Sequence, residues 1–105
     1  MYTGFNLKML QGYNILFELM ETLGKKWVGP LLIFLLFYEK TNFSQMKKQL
    51  KVTSRALSKK LKLLGALGLV EKIVIDNPKK IFYSLSDKGK EISQILLKVA
   101  TNISN

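Results

Sequence analysis

The sequence predicts one mostly helical α+β domain, and three patterns along the chain support this class. Apolar residues recur at helical spacing in two long segments, about 6–23 and 87–103, which indicates a helix near each end. Between them, an apolar segment and two short lysine-rich segments have the same helical spacing. A β-branched stretch, about 69–85, is interrupted by a turn and predicts a two-stranded hairpin. At 105 residues the chain has the length of one ordinary domain, which we take to span 1–105.

The first two helices differ in which of their faces are apolar. The first ends at Gly24 and is apolar on more than one face, so we expect a second subunit to cover part of it. The second, about 28–39, follows Trp27 and is apolar nearly all round, which is typical of a helix that crosses the core. Pro30 fits only in its first turn, where a missing N–H breaks no intrahelical hydrogen bond. Residues 40–43 are expected to form a short connection with a stub of strand.

Two short helices follow, and each is preceded by a residue that can cap its free N–H groups. Ser44 is the predicted N-cap of the third helix, about 45–51. Thr53 or Ser54 is the predicted N-cap of the fourth helix, about 54–67. The leucines of the fourth helix fall on one side, which we expect to be buried.

The remaining elements are a hairpin and the last helix. Gly68 ends the fourth helix, and strands at about 69–75 and 81–85 are joined by an Asp-Asn-Pro turn. Ser86 or Asp87 is the predicted cap of the last helix. Its apolar stripe consists of Ile92, Ile95, Leu96, Val99 and Ile103. This order predicts a winged helix-turn-helix with a two-stranded wing and flanking N- and C-terminal helices, in which the second helix of the pair enters DNA.

The chain is strongly basic, with 17 basic residues, 7 acidic residues and a formal net charge of +10. A charge of that size on a small domain indicates a polyanionic partner, which is nucleic acid, an acidic membrane surface or an acidic protein. The uncharged segment 27–38 is too short to span a membrane and indicates a core helix. The N-terminus lacks the pattern of a signal peptide, so we expect a cytoplasmic, nucleoid-associated protein without a membrane partner.

The composition argues against an enzyme. The chain has no cysteine and no histidine, which removes thiolate nucleophiles, the commonest general base and the commonest metal ligands. The acids are spread along the chain, and no glycine-rich phosphate loop is present. We therefore expect no catalytic residue, no metal site and no cofactor. A small-molecule effector stays undefined, because aromatic residues such as Tyr13, Trp27, Phe34 and Phe37 are more often core than cavity lining.

The fourth helix concentrates its positive charge on one face. Arg55, Ser58, Lys59 and Lys62 follow each other at helical spacing and form a continuous polar stripe opposite the leucines. Between positions 40 and 62 the chain has basic residues and no acid. A helix that is charged only for solubility normally mixes signs and gains i,i+4 pairs. The stripe is therefore better explained by phosphates that supply the missing negative charge.

This stripe and its surroundings provide the candidate DNA contacts. The base-reading candidates are Ser54, Arg55, Ser58 and Lys59, of which arginine has the fork that matches guanine O6 and N7. The phosphate and backbone candidates are Ser44, Gln45, Lys47, Lys48, Lys51, Thr53, Lys62, Lys79 and Lys80. The wing turn, residues 76–80, is expected on the flanking DNA backbone. Lys60 projects near the apolar side and should extend its ammonium group to the edge of that side.

Four segments resemble the winged-helix regulators of the HxlR type, a branch near the MarR group. They are Gly24-Lys25-Lys26-Trp27, the stretch 52–61, the step Gly68-Leu69-Val70, and the wing stretch 78–89, in which the spacing from Pro78 through Tyr83 and Leu85 to Gly89 is kept. The resemblance covers roughly residues 20–100. It implies a homodimer, formed by the first and last helices, that binds double-stranded DNA and regulates transcription. Family members often have an N-terminal cysteine that senses electrophiles; this chain has none, so thiol sensing is excluded.

Three hypotheses about function stay open from the sequence. The first is a dimeric, sequence-specific transcriptional regulator that reads a pseudo-palindrome. The second is a chromatin-like architectural protein of low specificity, which the excess of lysine over arginine favours mildly. The third is a winged helix used as a protein-interaction module, which would need an acidic partner.

Overall fold

The helices and strands occur in the predicted order, and the short strand joins the hairpin in one sheet. The computed structural model describes the backbone of residues 7–104 and the side chains of residues 14–103. The elements are α1 (Leu7–Leu23), α2 (Val28–Tyr38), β1 (Lys40–Thr41), α3 (Phe43–Leu50), α4 (Ser54–Ala66), β2 (Val70–Ile75), β3 (Lys80–Leu85) and α5 (Asp87–Ser104). The predicted mostly helical winged helix-turn-helix is confirmed. Position 6, the predicted start of the first helix, lies outside the described residues.

The second helix, α2, is the centre of the core. Val28, Leu31, Leu32 and Leu35 are at most 1% exposed, as expected for a helix that is apolar nearly all round. It packs against α1, α3, α5 and the strands β1 and β3. Pro30 lies in its first turn, as predicted. No helix within residues 7–104 is long and apolar enough to cross a membrane.

The third helix begins earlier than predicted, because its N-cap is Asn42 and not Ser44. The Oδ1 atom of Asn42 accepts a hydrogen bond from the backbone N–H of Gln45 at 2.8 Å. Both residue types cap helices well, so local preference could not separate them. Phe43 is half-buried and packs against the core, which makes it the first helical residue and leaves Ser44 exposed in the first turn.

The fourth helix, α4, has the predicted ends. Thr53 caps it, since its Oγ1 accepts from the backbone N–H of Ala56 at 3.1 Å. Gly68 follows the helix in the left-handed region, with φ of 74°. Its N–H donates to Gly65 O at 3.0 Å, and the N–H of Leu69 donates to Leu64 O at 2.9 Å. These two bonds form a Schellman motif, which explains why a glycine stands at position 68.

The sheet has the strand order β1-β3-β2, and both pairings are antiparallel. Val70 pairs with Leu85 at the base of the wing, and Ile75 pairs with Lys80 at its tip. Residues 76–79 form the turn between them, in agreement with the predicted wing. The predicted stub of strand is β1, which ends at Thr41 because Asn42 already caps α3.

The last helix, α5, is fixed to the rest of the fold at its first turn. Ser86 is its cap, since Ser86 Oγ accepts from the backbone N–H of Gly89 at 3.1 Å. The same hydroxyl donates to Gly68 O, and the backbone N–H of Ser86 donates to Leu69 O at 3.0 Å. Ser93, which is fully buried, donates from Oγ to Gly89 O at 2.7 Å. Two of these hydrogen bonds join Ser86 to Gly68 and Leu69, the residues that follow α4. The other two lie within the first two turns of α5.

The predicted apolar stripe of α5 is only half covered. Ile92 and Leu96 pack against the core, whereas Ile95, Val99 and Ile103 are 55%, 49% and 80% exposed. The first half of the stripe therefore faces the core of this chain, and the second half does not. A stripe this long needs a facing surface along its full length, and the core of one chain reaches only the first half of α5.

Gly89 is the residue at which we expect stability to be most sensitive to a single methyl group. A Cβ at this position would lie 2.0 Å from the carbonyl oxygen of Leu69 and 3.2 Å from Leu85 Cδ2. Since the obstructing atom is backbone, Gly89→Ala should lower the free energy of unfolding by about 3 kcal/mol or more, at the upper end of overpacking effects. Chemical denaturation measures this.

The matched control is Gly29→Ala in the first turn of α2. A Cβ there would meet nothing within 4 Å, so we expect a change within about 1 kcal/mol, toward higher stability. Equal losses in the two variants would show that the Gly89 contact is not the constraint described here.

Candidate nucleic-acid interface

The fourth helix separates its apolar and basic residues as the sequence predicted. Leu57, Leu61 and Leu64 are at most 5% exposed and form its buried side. The predicted polar stripe lies on the other side and is exposed along its whole length; it consists of Arg55, Ser58, Lys59 and Lys62. Ser54 is exposed beside it, at the first position of the helix.

Arg55 is distinguished by composition as well as by position. It is the one arginine in the chain, in which every other basic residue is lysine. It stands at the second position of α4, two residues after the Thr53 cap, and is exposed. A guanidinium group offers the planar donor fork that can recognise a guanine edge, which an ammonium group lacks. The chain therefore has its one guanidinium group at the start of the predicted recognition helix.

The start of α3 is held by a small hydrogen-bond network. Besides the Asn42 cap, Thr41 Oγ1 donates to Gln45 Oε1 at 2.8 Å. The exposed phosphate candidates of this region are Ser44, Gln45, Lys47, Lys48 and Lys51. The first N–H groups of a helix and its positive dipole end attract anions. Asn42 was missed in the sequence as part of this surface, although an Asn before a helix is a recognisable cap signal.

The remaining predicted phosphate candidates lie at two further places. Thr53 is exposed at the start of α4; its hydroxyl accepts the capping hydrogen bond and retains its own hydrogen for donation. Lys79 lies in the wing turn and Lys80 at the first position of β3, both exposed. They are at the tip of the wing, at the far end of the hairpin from Leu85.

Lys60 differs from the other lysines of α4 because it is only half exposed. It lines a small cavity of about 10 Å³ together with Trp27, Leu50 and Leu57. Its aliphatic part therefore covers apolar surface, as predicted.

Of the aromatic residues considered for an effector cavity, Trp27, Phe34 and Phe37 have described side chains, and these three lie in different surroundings. The cavity next to Trp27 is too small for an organic ligand. Phe34 is buried and stacks on Tyr38 with ring centroids 4.4 Å apart. Phe37 is 66% exposed, and the side chain of Tyr13 lies outside the described residues.

One feature of the surface was missed at the sequence level. Lys72 of β2 and Tyr83 of β3 line a groove together with Ser58 and Lys62 of α4. The structure thus brings the basic stripe of α4 next to the base of the wing. No sequence pattern marks this neighbourhood, because it depends on the strand register and on how the sheet packs against α4.

These features define a class of protein: a helix-turn-helix whose second helix presents an exposed basic face, followed by a basic wing, is a DNA-binding regulator of transcription. The chain belongs to the HxlR-like helix-turn-helix family, whose model matches residues 22–105. Within residues 7–104, no group of three or more His, Cys, Asp and Glu side chains could hold a metal ion.

Known proteins similar to this chain agree with that assignment. The uncharacterized HTH-type transcriptional regulator YvaP of Bacillus subtilis (strain 168) is 38% identical over 82 residues, which cover 76% of this chain and 75% of YvaP. The structure of a transcriptional regulator homologue from Pyrococcus horikoshii OT3 is similar with a TM-score of 0.69 and 27% identity, covering 82% of this chain and 92% of that one. A possible HxlR family transcriptional factor from Thermoplasma volcanium GSS1 has a TM-score of 0.68 and 28% identity, covering 81% and 77%.

The cap of α4 gives a test of how this surface is held. Thr53→Ala removes the acceptor for the N–H of Ala56, so we expect the free energy of unfolding to fall by about 1 kcal/mol. Thr53→Ser keeps the hydroxyl and should stay within about 0.5 kcal/mol of the parent protein. Urea denaturation of the three proteins measures this. A loss of the same size in the serine variant would show that the methyl group, and not the cap, is responsible.

Proposed function

We propose that this DNA-binding regulator acts as a homodimer on double-stranded DNA, with α4 in the major groove and the wing turn, residues 76–80, on the flanking backbone. The observation that supports this most strongly is the exposed face of α4, which is basic along its length and faces no acid in the segment 40–62. Phosphates compensate such a face, and counterion release then drives binding. A protein with this role works on the chromosome, so we place it in the cytoplasm, on the nucleoid.

The contacts divide into two groups by position. At the start of α4, the side chains of Ser54, Arg55, Ser58 and Lys59 are proposed to reach base edges. Phosphates are proposed to be bound by Ser44, Gln45, Lys47, Lys48, Lys51, Thr53, Lys62, Lys79 and Lys80. The second group fixes the orientation of α4 on the duplex, and the first group provides the sequence preference.

The dimer is proposed to form through α1 and α5. On α1, Ile15, Phe17 and Met20 are 59–67% exposed, and on α5, Ile95 and Ile103 are 55% and 80% exposed. Ile15 of α1 and Ile95 of α5 line one cavity, so exposed apolar side chains of the two helices lie close together, which is typical of a subunit interface. In a two-fold dimer, the two α4 helices would lie about 34 Å apart and contact successive major grooves.

A second candidate is an architectural protein that binds duplexes with little sequence preference. The observation that favours it is that lysine, which contacts phosphate as a point charge, supplies all of the positive charge except Arg55. The two candidates differ in whether unrelated DNA competes for the protein.

The first test is competition. A titration of the protein with labelled DNA from its own upstream region should show binding that survives a large excess of random duplex. Footprinting should then show a short protected site with two-fold symmetry. Equal competition by all duplexes would establish the architectural role instead. No binding even at low salt would contradict both and leave the protein-interaction module.

We expect Arg55→Ala to reduce specific affinity by about 1–3 kcal/mol while binding to random duplex changes little, because a base contact adds discrimination that phosphate contacts lack. Fluorescence anisotropy with the footprinted site and with random duplex measures both affinities. The matched control is Lys98→Ala, an exposed basic residue of α5 that should leave both affinities unchanged. Equal weakening on both duplexes would assign Arg55 to the phosphates.

The dimer is tested by placing charge on α5. The double variant Ile95→Glu/Val99→Glu should be a monomer in size-exclusion chromatography with light scattering, since carboxylates would be buried in the interface. Val74→Glu, at a site on β2 with the same exposure as Val99, should remain a dimer. A parent protein that is monomeric at micromolar concentration would contradict the proposal.

A further inference from the structure

A groove between α4 and the wing has the composition of an anion-binding site. It has a volume of about 360 Å³, and its polar lining consists of Ser58, Lys62, Lys72 and Tyr83. Phe43 and Leu61 form its apolar part. Among its lining residues there are two lysines and no carboxylate, so the groove carries net positive charge.

The strand register explains why Lys72 and Tyr83 belong to this groove. Lys72 pairs with Tyr83, and Tyr83 pairs with Thr41, so the three residues lie on the same face of the sheet. Thr41 is 2% exposed, which identifies this face as the one that packs against the helices. Glu71, the only acid of β2, pairs with Ser84 and lies on the opposite face. Because side chains alternate between the two faces of a strand, Glu71 lies on the face away from the groove and Lys72 lies on the groove face.

The groove continues the exposed stripe of α4. Ser58, Lys62 and Gly65 lie at i, i+4 and i+7 and share one face of the helix. Ser58 and Lys62 belong both to the stripe and to the lining of the groove, so the groove opens beside the stripe. The groove is thus adjacent to the base-reading candidates and separate from the wing tip.

Gly65 is the part of the groove that packing does not explain. It is the second-last residue of α4, a helical position at which alanine has the higher helix propensity. A Cβ there would have its nearest neighbour, Val70 O, at 3.9 Å, an ordinary contact. A methyl group is therefore tolerated by the protein itself, and the absence of a side chain leaves the groove open on the helix side.

We propose that this groove binds a phosphodiester of the DNA backbone, with Lys62 and Lys72 as cationic partners and the Tyr83 hydroxyl as a hydrogen-bond donor. Lys72 and Tyr83 are thereby added to the proposed DNA-binding surface. The absence of a side chain at Gly65 allows the DNA strand to approach α4. The proposal rests on the proposed DNA-binding function and deepens it. A mobile phosphate ion has the same chemistry, so the test must distinguish it from DNA.

The experiment measures the affinity for random duplex DNA as a function of salt concentration. Lys72→Gln should lower the log–log salt slope by about 0.9 and weaken binding roughly fivefold at physiological salt, the effect of one phosphate contact. Lys98→Gln is the charge-matched control and should leave the slope unchanged. A slope that is the same in both variants and the parent protein would overturn the proposal while leaving the DNA-binding function intact.

A second variant tests the groove without changing charge. Gly65→Leu fills the space beside Lys62 and should reduce the affinity for random duplex to a similar extent, with thermal denaturation confirming that the fold is unchanged. Tyr83→Phe should weaken binding by removing the donor. If Gly65→Leu binds random duplex with the affinity of the parent protein, no DNA strand enters the groove. If inorganic phosphate weakens DNA binding only as much as another salt does at the same ionic strength, this result supports the DNA backbone as the ligand. Saturable competition by phosphate at low concentration would overturn the proposal.

A parent protein that binds no duplex at any salt concentration would end both this inference and the proposed function. If the parent protein binds DNA in a salt-dependent manner, and Lys72→Gln and Gly65→Leu bind with the same affinity and salt slope, only this inference is contradicted.

Discussion

The contact between the backbone of Leu69 and the start of α5 determines how the functional elements are arranged. Leu69 O accepts a hydrogen bond from the N–H of Ser86, and the absence of a side chain at Gly89 lets α5 approach this carbonyl. Leu69 also completes the Schellman motif that ends α4 and leads directly into β2. Helix α4, the wing and α5 therefore meet at one point. Because backbone atoms form this contact, the angles between the three elements depend little on side-chain conformation.

The core and the DNA-binding surface place different demands on the same helices. Five of the eleven residues of α2 are buried, and they let this helix support α3, α5 and the sheet at once. By contrast, α4 buries only its three leucines and keeps its basic stripe in solvent. A stripe without acids gives up the i,i+4 pairs that stabilise isolated helices, so α4 depends on its cap, its Schellman motif and its leucine contacts.

Features governed by local chemistry were predictable from the sequence, and features governed by register and packing were not. The Thr53 cap, the end of α4 at Gly68 and its two faces follow from residue type and spacing. The cap of α3 was placed at Ser44 and not at Asn42, because the choice depends on the burial of Phe43. The exposure of Ile95, Val99 and Ile103 depends on where the core of one chain ends. Lys72 and Tyr83 entered the candidate site only through the pairing of β2 with β3.

Because α5 is long, a small change of its angle at the Gly89 contact moves its far end. With 18 residues and a rise of 1.5 Å per residue, the helix is a rod about 27 Å long that is anchored at its first turn. A tilt of one degree at that anchor moves its far end by about 0.5 Å. If two such helices joined two subunits, the separation of the DNA-binding units would depend on this angle. Because Ile92 and Leu96 pack against the core, those contacts would resist a displacement of the far end together with the anchor.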